Sequence, residues 1–191
     1  IQCNDITSTN DLQIIASERN IKNLVMVCEI SSELFSLVCN IRHLEYLRLQ
    51  GYLKENQTFT PNELTQLRRL QTLQLSLFPD HRPEGIADQF DNNLHFRYLI
   101  KLEIVEGGRV LESCLNSILQ LCPKLKHLNI QNNLLVYSDI TNIRYCADLE
   151  YLDVSRNYEM CDELLGILSE SCPKLKFLDI NKCLKISDNF I

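Results

Sequence analysis

The chain has 191 residues, 45% of them apolar and 23% charged, with a net charge of −6. That length suits one or two ordinary domains or one elongated repeat array, and the apolar fraction excludes a disordered chain. The negative charge disfavours nucleic acid, since the densest basic pair, Arg68-Arg69, does not make a basic stripe.

In chain order, the opening Ile1-Gln-Cys-Asn-Asp-Ile6 has neither the basic region nor the apolar stretch of a signal peptide. It also lacks an initiator Met, and Ile191 falls inside a recurring motif, so the chain reads as a piece of something longer. The strongest apolar run, Leu34-Phe-Ser-Leu-Val-Cys39, is far short of the roughly 18 residues of a membrane span, and no membrane role is expected. A degenerate copy of the motif starts at Leu24 (Leu24-x-x-Val27), which would turn Glu29 inward, so residues 1–43 read as a degenerate N-terminal repeat or cap.

From residue 44 the pattern is regular. Leu44, Leu47 and Leu49 form one copy, then Leu70, Leu73 and Leu75, then Leu99, Leu102 and Ile104. The next three are Cys122-Pro-Lys-Leu-Lys-His-Leu-Asn-Ile130, Cys146-Ala-Asp-Leu-Glu-Tyr-Leu-Asp-Val154 and Cys172-Pro-Lys-Leu-Lys-Phe-Leu-Asp-Ile180. Their first leucines are spaced 26, 29, 26, 24 and 26 residues apart, and Asn133, Asn157 and Cys183 follow the last three copies at one position. Leu-x-x-Leu-x-Leu-x-x-(Asn/Cys) at this period is the core of a leucine-rich repeat.

The alternation Leu-x-Leu predicts a short strand buried on one face. The stretches Cys114, Leu115, Ile118, Leu119, Cys122 and Leu164, Leu165, Leu168, Cys172 have helical spacing and stop at Pro123 and Pro173. A single strand and helix cannot bury their own faces, so units must stack. The expected fold is an α/β leucine-rich-repeat solenoid, a horseshoe with about six strands in a parallel concave sheet and helices on the convex side. Residues 44–191 make up six repeats, the last incomplete.

Nine cysteines without a Cys-x-x-Cys pair do not form a secreted disulfide framework or a zinc ribbon. Cys122, Cys146 and Cys172 share a position with Ile41, Leu67 and Phe96, so they are read as buried apolar fillers. No metal or other cofactor is expected.

Strand residues that face outward should line the concave sheet. One row reads Tyr46, Thr72, Lys101, His127, Tyr151 and Phe177; the next reads Arg48, Gln74, Glu103, Asn129, Asp153 and Asp179; a third reads Gln50, Ser76, Val105, Gln131, Ser155 and Asn181. His127, Tyr151, Asp153, Phe177 and Asp179 form an aromatic and acidic patch suited to a protein partner. Asp153 and Asp179 on adjacent strands also have the spacing of a carboxylate pair, but an open sheet supplies no dry pocket, so no catalytic residue is expected. The isolated histidines His43, His81 and His95 lack partner ligands, and Gly107-Gly108 lacks the rest of a nucleotide fingerprint. The longest repeat contains Pro79-Asp-His-Arg-Pro-Glu-Gly85, a surface loop and an alternative contact site.

The Cys-Pro-Lys-Leu-Lys-x-Leu-(Asp/Asn)-Ile segments, with Cys183-Leu-Lys-Ile-Ser-Asp188, resemble the cysteine-containing class of leucine-rich repeats. In that class Ile-Ser-Asp opens the next helix, and Asp139 and Asp162 hold similar places. The resemblance is strong over 111–191 and in register over 44–108. The class occurs mainly in F-box/leucine-rich-repeat proteins, the substrate receptors of cullin–RING ubiquitin ligases. It implies a protein-binding scaffold in the cytoplasm or nucleus, joined to a cullin–RING ligase adaptor through a module upstream of Ile1. The F-box itself, with its Leu-Pro start and distal Trp, is not in this chain, which has no Trp. The alternative is a leucine-rich-repeat binding protein without an F-box, either an extracellular recognition repeat or an intracellular adaptor.

Overall fold

The computed structural model describes residues 2–4, 13–15, 17, 20–53, 61–79, 96–105, 112–133, 135 and 137–187. Eight strands form one sheet: β1 (Gln2–Asn4), β2 (Asn23–Val27), β3 (Tyr46–Leu53), β4 (Thr72–Pro79), β5 (Lys101–Ile104), β6 (His127–Asn129), β7 (Tyr151–Asp153) and β8 (Phe177–Asp179). They lie side by side in chain order, and every neighbouring pair is parallel. Parallel neighbours require a crossover between them. The described crossovers are α1 (Ser32–Cys39), a 3-10 helix (Pro61–Gln66), α2 (Glu112–Leu121), a second 3-10 helix (Tyr137–Tyr145) and α3 (Asp162–Ser171). This is the expected leucine-rich-repeat solenoid.

The register explains the repeat. Leu47, Leu73, Leu102, Leu128, Leu152 and Leu178 occupy one rung, and the first five are fully buried. The first leucines, Leu44, Leu70, Leu99, Leu125 and Leu149, are buried beside them. On the helical side Leu34, Phe35 and Val38 of α1, Leu115, Ile118 and Leu119 of α2, and Leu164 and Leu168 of α3 close the core. The 3-10 helix Tyr137–Tyr145 packs against both α2 and α3. It belongs to the 24-residue repeat and is kinked at Ile140, whose φ of −129° is not helical.

The structure corrects two expectations. The sheet has eight strands, two more than the leucine period predicts. The upstream copy also starts three residues earlier than expected: Leu24 pairs with Leu47 and Met26 with Leu49, so buried Ile21 takes the first-leucine place. Glu29 is therefore exposed rather than turned inward. Ile and Met in place of leucine hide this copy, because burial asks only for apolar volume. β3 and β4 also stay paired beyond the motif, through Gly51↔Leu77 to Leu53↔Pro79. Gly51 is required there: its φ is +150°, and a Cβ would lie 1.8 Å from the Cys28 carbonyl oxygen.

After the last three strands, the turn is tied by a buried polar ladder. Asn132, Arg156 and Lys182 adopt left-handed φ of 58°, 61° and 64°, which turns the following side chain back over the backbone. Asn157 then donates to the Ile130 and Val154 carbonyls at 2.9 and 2.8 Å, while its Oδ1 accepts from Asn133 N and Leu135 N, both at 3.1 Å. Asn133 donates likewise to the Ile104 carbonyl at 2.5 Å, and the Cys183 thiol donates to Val154 O at 3.2 Å. One repeat further on, Asp162 accepts from Ser187 N at 2.7 Å, so the Ile-Ser segment is tied to the helix before it.

The cysteine column is buried as expected. Cys122 and Cys146 are inaccessible and Cys172 is nearly so, all as free thiols. Cys146 points at the carbonyls of Leu119 and Cys122, and Cys172 at those of Ile143 and Cys146. Burial pushes the Cys122 thiol well up, and burial with the neighbouring Cys172 raises Cys146 to about 12. Burial raises Cys172 to about 11. The reactive thiolate is thus suppressed.

Two consequences are measurable. Cys122, Cys146 and Cys172 should resist alkylation under native conditions and react on unfolding, and Cys146→Asp should lose about 3 kcal/mol or more in urea denaturation by burying an unpaired charge. Rapid native labelling of all three would contradict this packing. Asn157→Leu should also lose about 3 kcal/mol, because it strands two buried N–H groups and the Ile130 carbonyl; a loss under about 1 kcal/mol would mean that the ladder does not hold the turns.

Candidate functional site

The non-helical face of the sheet carries the rows read from the sequence. In-register parallel pairing sets like positions about 4.8 Å apart, close to the stacking distance of aromatic rings. His127, Tyr151 and Phe177 share one rung. The His127 and Tyr151 rings stack with centroids 4.0 Å apart and planes 8° from parallel, and Tyr151 and Phe177 stack at 4.4 Å and 4°. The result is a three-ring ladder ending in Phe177, which is 45% exposed.

Asp153 and Asp179 pair on the adjacent rung. Each carboxylate first serves its own turn: Asp153 Oδ1 accepts from Ser155 N at 2.9 Å and Asp179 Oδ1 from Asn181 N at 2.8 Å, as Asn129 does from Gln131 N at 3.1 Å. These are local side-chain turns that stabilise the strand end. Among the described residues no cation pairs with Asp153 or Asp179. Burial, then the charges of Asp153, Asp179 and Glu103, hold the Tyr151 hydroxyl above its usual pKa, so it stays a hydrogen-bond donor. All five predicted residues therefore adjoin one another, although Asp153 is buried, at 7% exposed.

Toward the N-terminal strands lies a polar relay that the sequence rows do not announce. Tyr46 donates to Gln74, Gln74 donates to Glu103, and Glu103 accepts from Lys101 Nζ at 2.8 Å and lies 3.2 Å from His127 Nε2. Burial would raise the Glu103 pKa, but hydrogen bonds from Lys101 and Gln74 and the Lys101 and His127 charges bring it below the usual value. For His127, burial and the Lys101 charge outweigh the attraction of Glu103, and its pKa is lowered. The His127–Glu103 contact is thus a hydrogen bond from a neutral imidazole near pH 7, not a charged pair. A cleft of about 210 Å3 opens here, lined by Arg48, Gln74, Ser76, Glu103 and Val105 among others. The signal in the sequence was complementary polar types at neighbouring row positions, which names partners only once the register is known.

Among the described residues no three His, Cys, Asp or Glu side chains gather as a metal site, and no helix is long and apolar enough to cross a membrane. His43 is exposed on a turn. His81, His95, Gly107-Gly108 and all but Pro79 of the 79–85 loop lie outside the described residues. The Cys114 and Asp139 side chains do too, although the backbones of both lie in helices.

No family model and no curated protein matches the sequence. Solved structures do match. An internalin (inlF) from Listeria monocytogenes strain 4b F2365 is 18% identical with a TM-score of 0.46, over 87% of this chain and 49% of that one. InlP of Listeria monocytogenes is 17% identical with a TM-score of 0.56, over 92% of this chain and 45% of that one. The chain spans less than half the length of either. With the parallel register above, the InlP likeness makes this a leucine-rich-repeat solenoid; at such identity the likeness is one of fold.

His127 should titrate below 6.5 in an NMR pH series, and Glu103→Gln, which removes the charge that raises it, should lower it further. Because the folded pKa lies below the unfolded value, the unfolded chain binds more protons, and stability falls as pH drops through about 6.5. His127→Phe should lack that loss; an identical pH dependence of its melting temperature would show that the ring is not held neutral.

Proposed function

We propose that the protein is a protein-interaction scaffold whose partner docks on the non-helical, concave face of the sheet through His127, Tyr151, Asp153, Phe177 and Asp179. The observation that carries this reading is the stacked ring ladder, which ends in an exposed Phe177 beside carboxylates that pair with no cation among the described residues. Stacking already restricts the rings, so docking on them sacrifices little side-chain entropy. The acidic surroundings select a basic partner. An arginine side chain fits best, since its planar guanidinium stacks on rings and pairs with carboxylates. Association with such a partner weakens with salt.

The finer reading is that this scaffold is the substrate-recognition part of an F-box-type ubiquitin ligase receptor, with a cullin–RING adaptor bound through an N-terminal module. It is supported by the Cys-Pro-Lys-Leu segments. A cytoplasmic or nuclear location is supported by the free thiols of Cys39, Cys122, Cys146, Cys161, Cys172 and Cys183, which suit a reducing compartment. A binding protein without an F-box is the second reading, supported by the fold shared with InlP.

The test is capture of partners from cell extract by the wild-type protein and by Tyr151→Ala/Phe177→Ala, once both are shown to be folded. Removing two aromatic anchors at about 2 kcal/mol each should abolish capture. Retention of the same partners at the same affinity would move the site elsewhere, with the 79–85 loop next in line. Co-capture of a cullin–RING adaptor by the full-length protein decides between the two finer readings.

A further inference from the structure

The buried column Ile41, Leu67, Phe96 and Cys122 is followed in each repeat by a two-residue turn that leads into the strand. These turns are Arg42-His43, Arg68-Arg69, Arg97-Tyr98 and Pro123-Lys124, and all eight residues are exposed. Along the chain they are a repeat apart, and no pair of them makes a basic stripe. The parallel register sets them next to one another along one edge of the sheet. Two contacts show that residues at the second turn position meet across neighbouring repeats: Lys124 Nζ lies 5.5 Å from the Tyr98 ring centroid, and Lys174 Nζ lies 2.5 Å from Asp148.

Arg42, Arg68, Arg69, Arg97 and Lys124 thus form a row of five permanent cations over four turns, spanning about 15 Å at the usual strand spacing. Among the described residues none of the five makes an ion pair. The nearby acids are already engaged: Glu45 with Lys22 at 2.9 Å, Asp148 with Lys174, and Glu150 with Lys126 and Lys176 at 3.4 and 2.6 Å. At the Lys124 end the row opens into a recess of about 420 Å3 lined by Arg97, Tyr98, Pro123 and Lys124. Like charges stacked this closely repel one another, and among the described residues no carboxylate pairs with them.

We propose that this edge is a second docking surface, which takes an acidic, extended segment of a partner protein. An extended peptide advances about 3.3 Å per residue, so roughly five residues cover the row, and alternate Asp or Glu side chains reach the cations. A peptide fits better than a nucleic acid. The row is short, its turns offer only the rings of His43 and Tyr98, and the whole chain carries −6, which repels a long polyanion. The surface is separate from the ring ladder, so each can fail without the other.

The probe is fluorescein-labelled hexaglutamate, read by fluorescence anisotropy at about 20 mM salt, with labelled hexaserine and single-stranded hexathymidylate as comparisons. Hexaglutamate should bind, weaken as salt rises, and lose at least about tenfold in affinity in Arg68→Glu/Arg97→Glu. The neutral pair Arg69→Gln/Lys124→Gln should lose less, and serves if the charge reversal does not fold. Tyr151→Ala/Phe177→Ala should bind hexaglutamate like the wild type. The proposal is overturned if hexaglutamate binds no better than hexaserine, if the folded variants keep wild-type affinity, or if hexathymidylate binds more tightly.

Discussion

In a parallel sheet whose strands pair without any shift, each side chain stands beside its counterpart from the next repeat, about 4.8 Å away. Every column of this protein follows from that constraint. Leucine beside leucine makes the core, and thiol beside thiol fills the helix ends without bonding. Asparagine beside asparagine closes a ladder in which each amide satisfies backbone groups of its neighbour. Rings beside rings stack. Each repeat lends its surface to the next, so stability is shared along the array rather than held in one centre.

The same constraint is unfavourable for charge, and the molecule handles it differently from column to column. Just before the strands, Lys126, Glu150 and Lys176 alternate in sign and pair across repeats, as do Lys22 and Glu45. Asp153 and Asp179 repeat the same sign, but each is held by a backbone N–H of its own turn. The turn cations Arg42, Arg68, Arg69 and Arg97 have neither remedy among the described residues. Surface ion pairs contribute little to stability, so the alternating column matters chiefly by sparing the fold a repulsion. Columns left uncompensated are where an external partner gains most.

The face that carries the rings also has a direction. Its N-terminal half is internally satisfied, because Tyr46, Gln74, Glu103, Lys101 and His127 bind one another. Its C-terminal half presents stacked rings and the half-buried Asp179, with Asp153 buried beside it. His127 belongs to both, with one face on Tyr151 and a ring nitrogen on Glu103. A group held neutral at that junction fixes the ladder without adding charge to it.

The period, the buried columns, the inert cysteines and the residues of the ring patch were all legible in the sequence, because each depends only on residue type at a repeated position. Three features were not. Ile21, Leu24 and Met26 fill the leucine places of an upstream strand, and a core accepts any apolar side chain of suitable volume, so the leucine signal fades while the packing persists. The 3-10 crossover at Tyr137–Tyr145, kinked at Ile140 and flanked by the α-helical crossovers α2 and α3, follows no apolar pattern read from the sequence. The contacts of Glu103 with Gln74 and His127 and the row of turn cations arise between residues some 24 to 29 positions apart along the chain. Sequence alone determined what each repeat is made of; the tertiary structure decided what each repeat stands next to, since contact and charge act through distance in space rather than along the chain.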